Sequence, residues 1–206
     1  MTIVFLDLET TGLNLDDDLI LEIGAVAVDP GLDIISDFHT LVWHDMPKVA
    51  KAMDDYVFDM HSTSGLLDEL ALAARRLLEQ GVFPRDVFGP THVNDLLCEW
   101  LDSLPMGPDD ELILAGSGVS EFDRPLLRRD FPRAEAKFHY RTWELGALRR
   151  LLPVINLPDI ADEMHTAAEK NPAPHRALTD AANSLNQLRA ARELGIEIHR
   201  RWTDTL

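Results

Sequence analysis

A chain of 206 residues with a formal net charge of −17 is long enough to bury a core of its own. Its acidity argues against a protein that coats long duplex nucleic acid, which needs many lysine and arginine contacts to phosphate. The single cysteine, Cys98, excludes an internal disulfide framework and fits a reducing compartment, so a cytoplasmic location is expected. Asp7 and Glu9 interrupt the apolar N-terminal run and no other apolar run is long enough to span a bilayer, so neither a secretory leader nor a membrane segment is expected.

The chain opens on a strand. Residues 3–6 are apolar on both faces, as a central, doubly covered strand requires. Asp7 and Glu9 follow, and the two-residue period of a strand sends both to one side. Like charges at the end of a buried strand are costly unless a cation sits between them; hard Mg²⁺ or Mn²⁺ suits carboxylate oxygen. The other reading is an acidic strand end in solvent. Thr10-Thr11-Gly12 then turns the chain.

Residues 19–28 and 34–43 read as second and third strands, the third an exposed edge, in an antiparallel meander. Val49, Met53, Tyr56 and Val57 share helical spacing, and a helix resumes over 66–78. Residues 81–90, with two prolines and two glycines, read as a loop, and 92–104 as an amphipathic helix. Residues 112–116 are a short apolar strand, expected parallel to the first. Helices are expected over 122–130, 142–152 and 176–194, with 153–174, which holds four prolines, irregular or only locally helical. This order gives a three-layer α/β domain with a mixed sheet.

Charge is unevenly placed. Residues 1–72 hold fifteen acids against two lysines, whereas 124–150 hold eight basic residues against three acids. The basic segment is either a solvated helix face or a local patch that attracts phosphate. Asp123, near the start of a helix after a buried strand, is either a helix-start carboxylate or a member of a site at the strand end. His175 and Asp180, five residues apart, converge only if His175 lies on the loop entering the helix, which Pro172 and Pro174 favour.

Three motifs in this order, Asp7-Leu8-Glu9-Thr10-Thr11-Gly12, Phe122-Asp123 and His175-Arg176-Ala177-Leu178-Thr179-Asp180, resemble the DEDD-type 3′→5′ exonucleases of the ribonuclease H-like superfamily, in the subclass with a histidine base. The resemblance covers residues 3–193. Within that family it is nearest oligoribonuclease, through Asp54-Asp55-Tyr56 followed by His61 to Leu66, and through Phe138-His139-Tyr140-Arg141.

The resemblance implies one exonuclease domain over 1–206, with a ribonuclease H-like mixed sheet of five strands. It implies that Asp7, Glu9, Asp123 and Asp180 hold two divalent cations, Mg²⁺ or Mn²⁺, and that His175 takes the proton of the attacking water. Short single-stranded RNA would be cut to nucleoside 5′-monophosphates. Leu13 would wedge under the terminal base and Tyr56 stack on it. His61, His139 and Arg141 would cap the 5′ phosphate, and Tyr140 would reach across a homodimer. The sequence departs from the pattern at Gly146, where a serine is usual, and is longer between Gly116 and Asp123 and in the 81–90 and 153–174 segments. A proofreading or repair-type DNA exonuclease is the alternative, followed by a non-catalytic nucleic-acid-binding protein on the same fold.

Overall fold

In the computed structural model, which describes residues 1–81, 87–168 and 175–203, the first strand sits deep in the sheet. β1 (Thr2–Thr10) pairs antiparallel with β2 (Ile20–Val28) and, on its other side, parallel with β5 (Leu112–Gly116). β2 pairs antiparallel with β3 (Ile34–Val42). Two short strands extend the edges: β4 (Val87–Phe88) runs parallel to β3, and β6 (Thr142–Glu144) parallel to β5. The sheet therefore has six strands in the order β4-β3-β2-β1-β5-β6. The resemblance implies five strands and the apolar pattern alone shows four; β4 and β6, of two and three residues, are too short to show a period-two pattern and bring the sheet to six.

Alternation along β1 divides the core. Val4, Leu6 and Leu8 face a cluster built with α4 (Pro90–Ser103), α5 (Asp123–Asp130) and α6 (Pro132–Glu135). Ile3 and Phe5 face the other layer, made by α7 (Leu145–Val154), α8 (Pro158–Ala168) and α9 (Ala177–Thr203). A third cluster joins Leu21 and Leu41 to α1 (Met46–Ala52) and α3 (Leu66–Gln80), with α2 (Asp55–Thr63) between those helices in the chain. Parity places Asp7 and Glu9 on the same face as Ile3 and Phe5, towards α9.

Several sequence expectations shift here. The helical spacing around Met53 belongs to two helices, because Asp54 breaks out to an extended conformation and caps α2 by accepting the Val57 N–H at 2.8 Å. The helix expected from residue 142 begins only at Leu145; the first three residues are claimed by the edge of β5. Within 153–174 an eleven-residue helix, α8, begins at Pro158, a residue suited to a first helical position. Pro172, Pro174 and residues 82–86 of the expected 81–90 loop lie outside the described residues, and the rest of that loop holds β4 and the first residue of α4.

The approach of α9 to the sheet depends on one missing side chain. A Cβ on Gly24 of β2 would lie 2.0 Å from the Leu178 nitrogen and 2.2 Å from the Ala177 carbonyl carbon. Both obstacles are backbone, so neither can rotate away. Gly24→Ala should lower stability by about 3 kcal/mol or more, beyond ordinary overpacking, read as a fall in the urea midpoint.

Candidate active site

The carboxylates meet where β5 ends and β1 continues. The β1–β5 register runs only as far as Phe5 opposite Ala115, so Leu8 has no strand partner on that side. Asp123, the first residue of α5, fills the gap: its Oδ1 accepts the Leu8 N–H at 3.1 Å. This fixes a buried carboxyl, 4% exposed, beside the segment that carries Asp7 and Glu9. From the opposite layer α9 brings Asp180, whose Oδ2 accepts the backbone N–H of His175 at 2.9 Å. Oxygen or nitrogen atoms of Glu9, His175 and Asp180 all lie within 4.8 Å of one another. His175 lies before α9 with φ of +64°, as convergence with Asp180 demands. That left-handed conformation costs a non-glycine residue about 1–3 kcal/mol.

Burial and mutual repulsion disturb Asp7, Glu9 and Asp123. Burial, then the charges of Asp123, Glu9 and Asp180, push Asp7 well above the usual carboxylate range. Burial, then Asp180 and Glu22, push Glu9 up to about 8, with Arg176 pulling back. Asp123 is pushed to about 7 by burial, against the Leu8 hydrogen bond. For Glu9 this opposes ionisation by on the order of 5 kcal/mol. The donor set is oxygen-rich and short of positive charge, which is the chemistry of a hard divalent cation site. Asp7, Glu9, Asp123 and Asp180 fit such a cation.

Two further acids frame the cluster, and the sequence reading did not single out either. Glu22, opposite Glu9 in the β1–β2 register, is 1% exposed. Against its burial, hydrogen bonds from His39, Arg176 and the Ala177 N–H hold it down at about 2. Its signal was a lone acid inside an otherwise apolar strand. Glu144 gathers the N–H groups of Gly118, Ser120 and Gly146. It thereby ties the loop before α5 to the start of α7.

The expected substrate contacts fall in different places. Leu13 and Tyr56 are 83% and 73% exposed, large apolar groups with nothing covering them. The Leu13 loop is stiff: Asp18 accepts from the Thr11 hydroxyl and the Asn14 N–H, both at 2.7 Å, and Arg129 of α5 donates to the Leu15 and Asp18 carbonyls. The expectation for His61 is corrected. It is wholly buried, with Nε2 2.8 Å from the Thr10 carbonyl and Nδ1 3.8 Å from Glu9, so it braces β1 and offers no surface to a phosphate. His139 hangs from the Leu112 carbonyl at 2.8 Å. Its ring lies against Tyr140, tilted at 46° with centroids 4.3 Å apart, and the Arg141 guanidinium lies 5.1 Å from the Tyr140 centroid.

The basic segment is largely internal wiring. Arg124 and Arg128 share Glu135, Arg129 pairs with Asp130, Arg133 with Asp95, and Lys137 with Asp102. Among the described residues, Arg141, Arg149 and Arg150 are the members with no carboxylate partner.

Cation-free stability should depend on pH. The buried His61 and His44, whose values are lowered by burial, act in the opposite sense, because the unfolded chain binds their protons up to about pH 6.5, and that effect fades above it. Glu9 and Asp123 in the folded protein still hold protons that the unfolded chain has released, up to about pH 8 and 7. The folded state binds more protons there, so stability falls as pH rises. Melting temperature in EDTA should drop between about pH 6.5 and 8 and level out with millimolar Mg²⁺. Asp7→Asn should raise the EDTA value and abolish turnover.

The exonuclease family RNase_T matches residues 4–80. The oligoribonuclease of Corynebacterium diphtheriae is 33% identical over 192 residues, covering 90% of this chain and 79% of the relative. That of Chromobacterium violaceum is 27% identical and covers 93% of each. Among solved structures, E. coli exonuclease I with zinc and single-stranded DNA superposes with a TM-score of 0.62 at 12% identity, and that of Methylocaldum szegediense with 0.59 at 15%. This chain spans 40% of the length of each, so the likeness is one of fold. On shared identity over most of both chains, the protein belongs to the oligoribonuclease family of exonucleases.

Proposed function

We propose that this 3′→5′ exoribonuclease of short oligonucleotides works as one domain with two divalent cations, Mg²⁺ or Mn²⁺, held by Asp7, Glu9, Asp123 and Asp180. When bound, the cations supply the positive charge that the four acids lack and polarise the phosphodiester. His175 takes the proton from the attacking water, whose oxygen bonds to phosphorus while the bond to the preceding 3′ oxygen breaks. The observation that carries this reading is the convergence of Glu9, His175 and Asp180 within 4.8 Å. Exposure leaves the imidazole able to give that proton on to solvent.

Leu13 and Tyr56 supply the uncovered apolar surface for the terminal base, a stack worth roughly 1–3 kcal/mol. The far end of the substrate needs cations, and Arg141 is available. It precedes β6, whose first residue pairs with Leu114, so it lies four residues back along the sheet from Asp7, or roughly 13 Å. Tyr140 lies further back still. The function is therefore best served by a C₂ homodimer in which the partner's Tyr140 and the partner's Arg141 reach this site. Among the described residues no helix is long and apolar enough to cross a membrane, and the one thiol, Cys98, is free and buried, which suits the cytoplasm.

Length preference should be looser than a full clamp would give. A Cβ on Gly146 would sit 3.2 Å from Glu144 Oε1, so a carboxylate occupies the space beside the position where relatives usually carry a hydroxyl. Losing that hydroxyl costs about 1 kcal/mol. On 5′-phosphorylated RNA and DNA ladders of about two to about twenty nucleotides, the protein should prefer RNA of two to about five. Arg141→Ala should cost most on dinucleotides; equal slowing at every length would remove the clamp and favour a DNA exonuclease. His175→Ala should lower turnover by about 10² to 10⁴ with metal affinity, followed by calorimetry, nearly unchanged.

A further inference from the structure

Arg176 separates the proposed base from α9, and no step of the reaction above uses its side chain. Its guanidinium is spread across two carboxylates on different elements. Nε and one terminal nitrogen reach Glu22 of β2 at 2.8 to 3.2 Å, and both terminal nitrogens reach Glu69 of α3 at 2.9 and 3.0 Å. Every nitrogen of the fork faces a carboxylate, so none is aimed at substrate. Glu22 itself is saturated, taking the Ala177 N–H at 3.0 Å and His39 Nε2 at 2.6 Å as well.

Immediately after Arg176 the backbone rests on Gly24 with no room to shift. Immediately before it stands His175, in a left-handed conformation that a residue with a side chain does not hold unaided. One tether on His175 is visible, the Asp180 hydrogen bond to its N–H. The Arg176 carbonyl accepts the Asp180 N–H at 2.9 Å, which seats the start of α9 but does not itself hold the peptide joining 175 to 176. The fork supplies the second fixed point, since planar guanidinium engaged on two carboxylates defines both position and orientation.

We propose that Arg176 is a positioning residue for His175: its fork across Glu22 and Glu69 holds the loop peptide so that the imidazole stays over Glu9 and Asp180. This rests on the reading of His175 as base. Arg176 acts through His175 and touches no reacting atom. Glu69 is the outer prong, on a side chain 48% exposed, and can be removed without leaving a buried charge unpaired. Arg176→Lys keeps the charge and loses the fork.

The test is a double-mutant cycle read by single-turnover hydrolysis of a 5′-phosphorylated RNA dinucleotide in Mg²⁺, with enzyme in excess. Arg176→Lys should lower the rate roughly 10- to 100-fold, the scale of a base displaced by about an ångström, and Glu69→Ala about 3- to 10-fold. Steady-state KM should move less than about twofold. In a His175→Ala background both costs should shrink to nearly nothing, because the group they position is gone. If Arg176→Lys fails to fold, Glu69→Ala carries the cycle alone. Equal costs in both backgrounds, or a loss confined to KM, would overturn the positioning role while leaving the base in place. Near wild-type turnover in His175→Ala would overturn the base, and the positioning role with it.

Discussion

Negative charge confined to the end of a buried strand governs this structure. β1 is covered on both faces through Leu6, so the acids that follow, half-buried Asp7 and buried Glu9, stand at the end of a dry strand with little water to screen them. Each part of the site is an answer to that confinement. β5 stops early and leaves the Leu8 N–H for Asp123. β2 gives up a side chain at Gly24 so that α9 can deliver Asp180. His61 braces the Thr10 carbonyl just beyond Glu9. The fold holds the acids at a separation that disfavours their ionisation, and a cation relieves what the fold imposes.

Positive charge is distributed with corresponding economy. Five of the eight cations in 124–150 are committed to carboxylates, four of them tying α4, α5, α6 and the turn after α6 to one another. Arg129 additionally fastens the Leu13 loop. A segment that looks nucleic-acid-seeking in the sequence is thus mostly structural. What faces solvent is an acidic body with a few unpaired arginines, a poor surface for a long polyanion and an adequate one for a short strand with one terminal phosphate.

The sequence made the places of the proposed reacting groups legible because each obeys a local rule. Asp7 and Glu9 share a strand parity, Asp123 opens a helix after a buried strand, and His175 lies outside the helix that carries Asp180. The supporting groups were hidden because their partners are distant in sequence. Glu22 and Arg176 are 154 residues apart, and nothing near either one announces the other. His61 was misread for the same reason: its place in the motif suggests substrate, while its burial follows from packing between α2 and β1. The short edge strands failed on length, as their few residues take their geometry from β3 and β5.

Cys98 lies on α4 in the cluster that backs β1, 4% exposed, and is the sole thiol. Burial raises its pKa, so it is a poor nucleophile while the helix is seated. A thiol reagent therefore reads the opening of one layer of the sandwich without a label being introduced. Its reaction rate separates the free energy of lifting α4 from that of global unfolding. The molecule carries its own gauge of how firmly the scaffold beneath the acids is held.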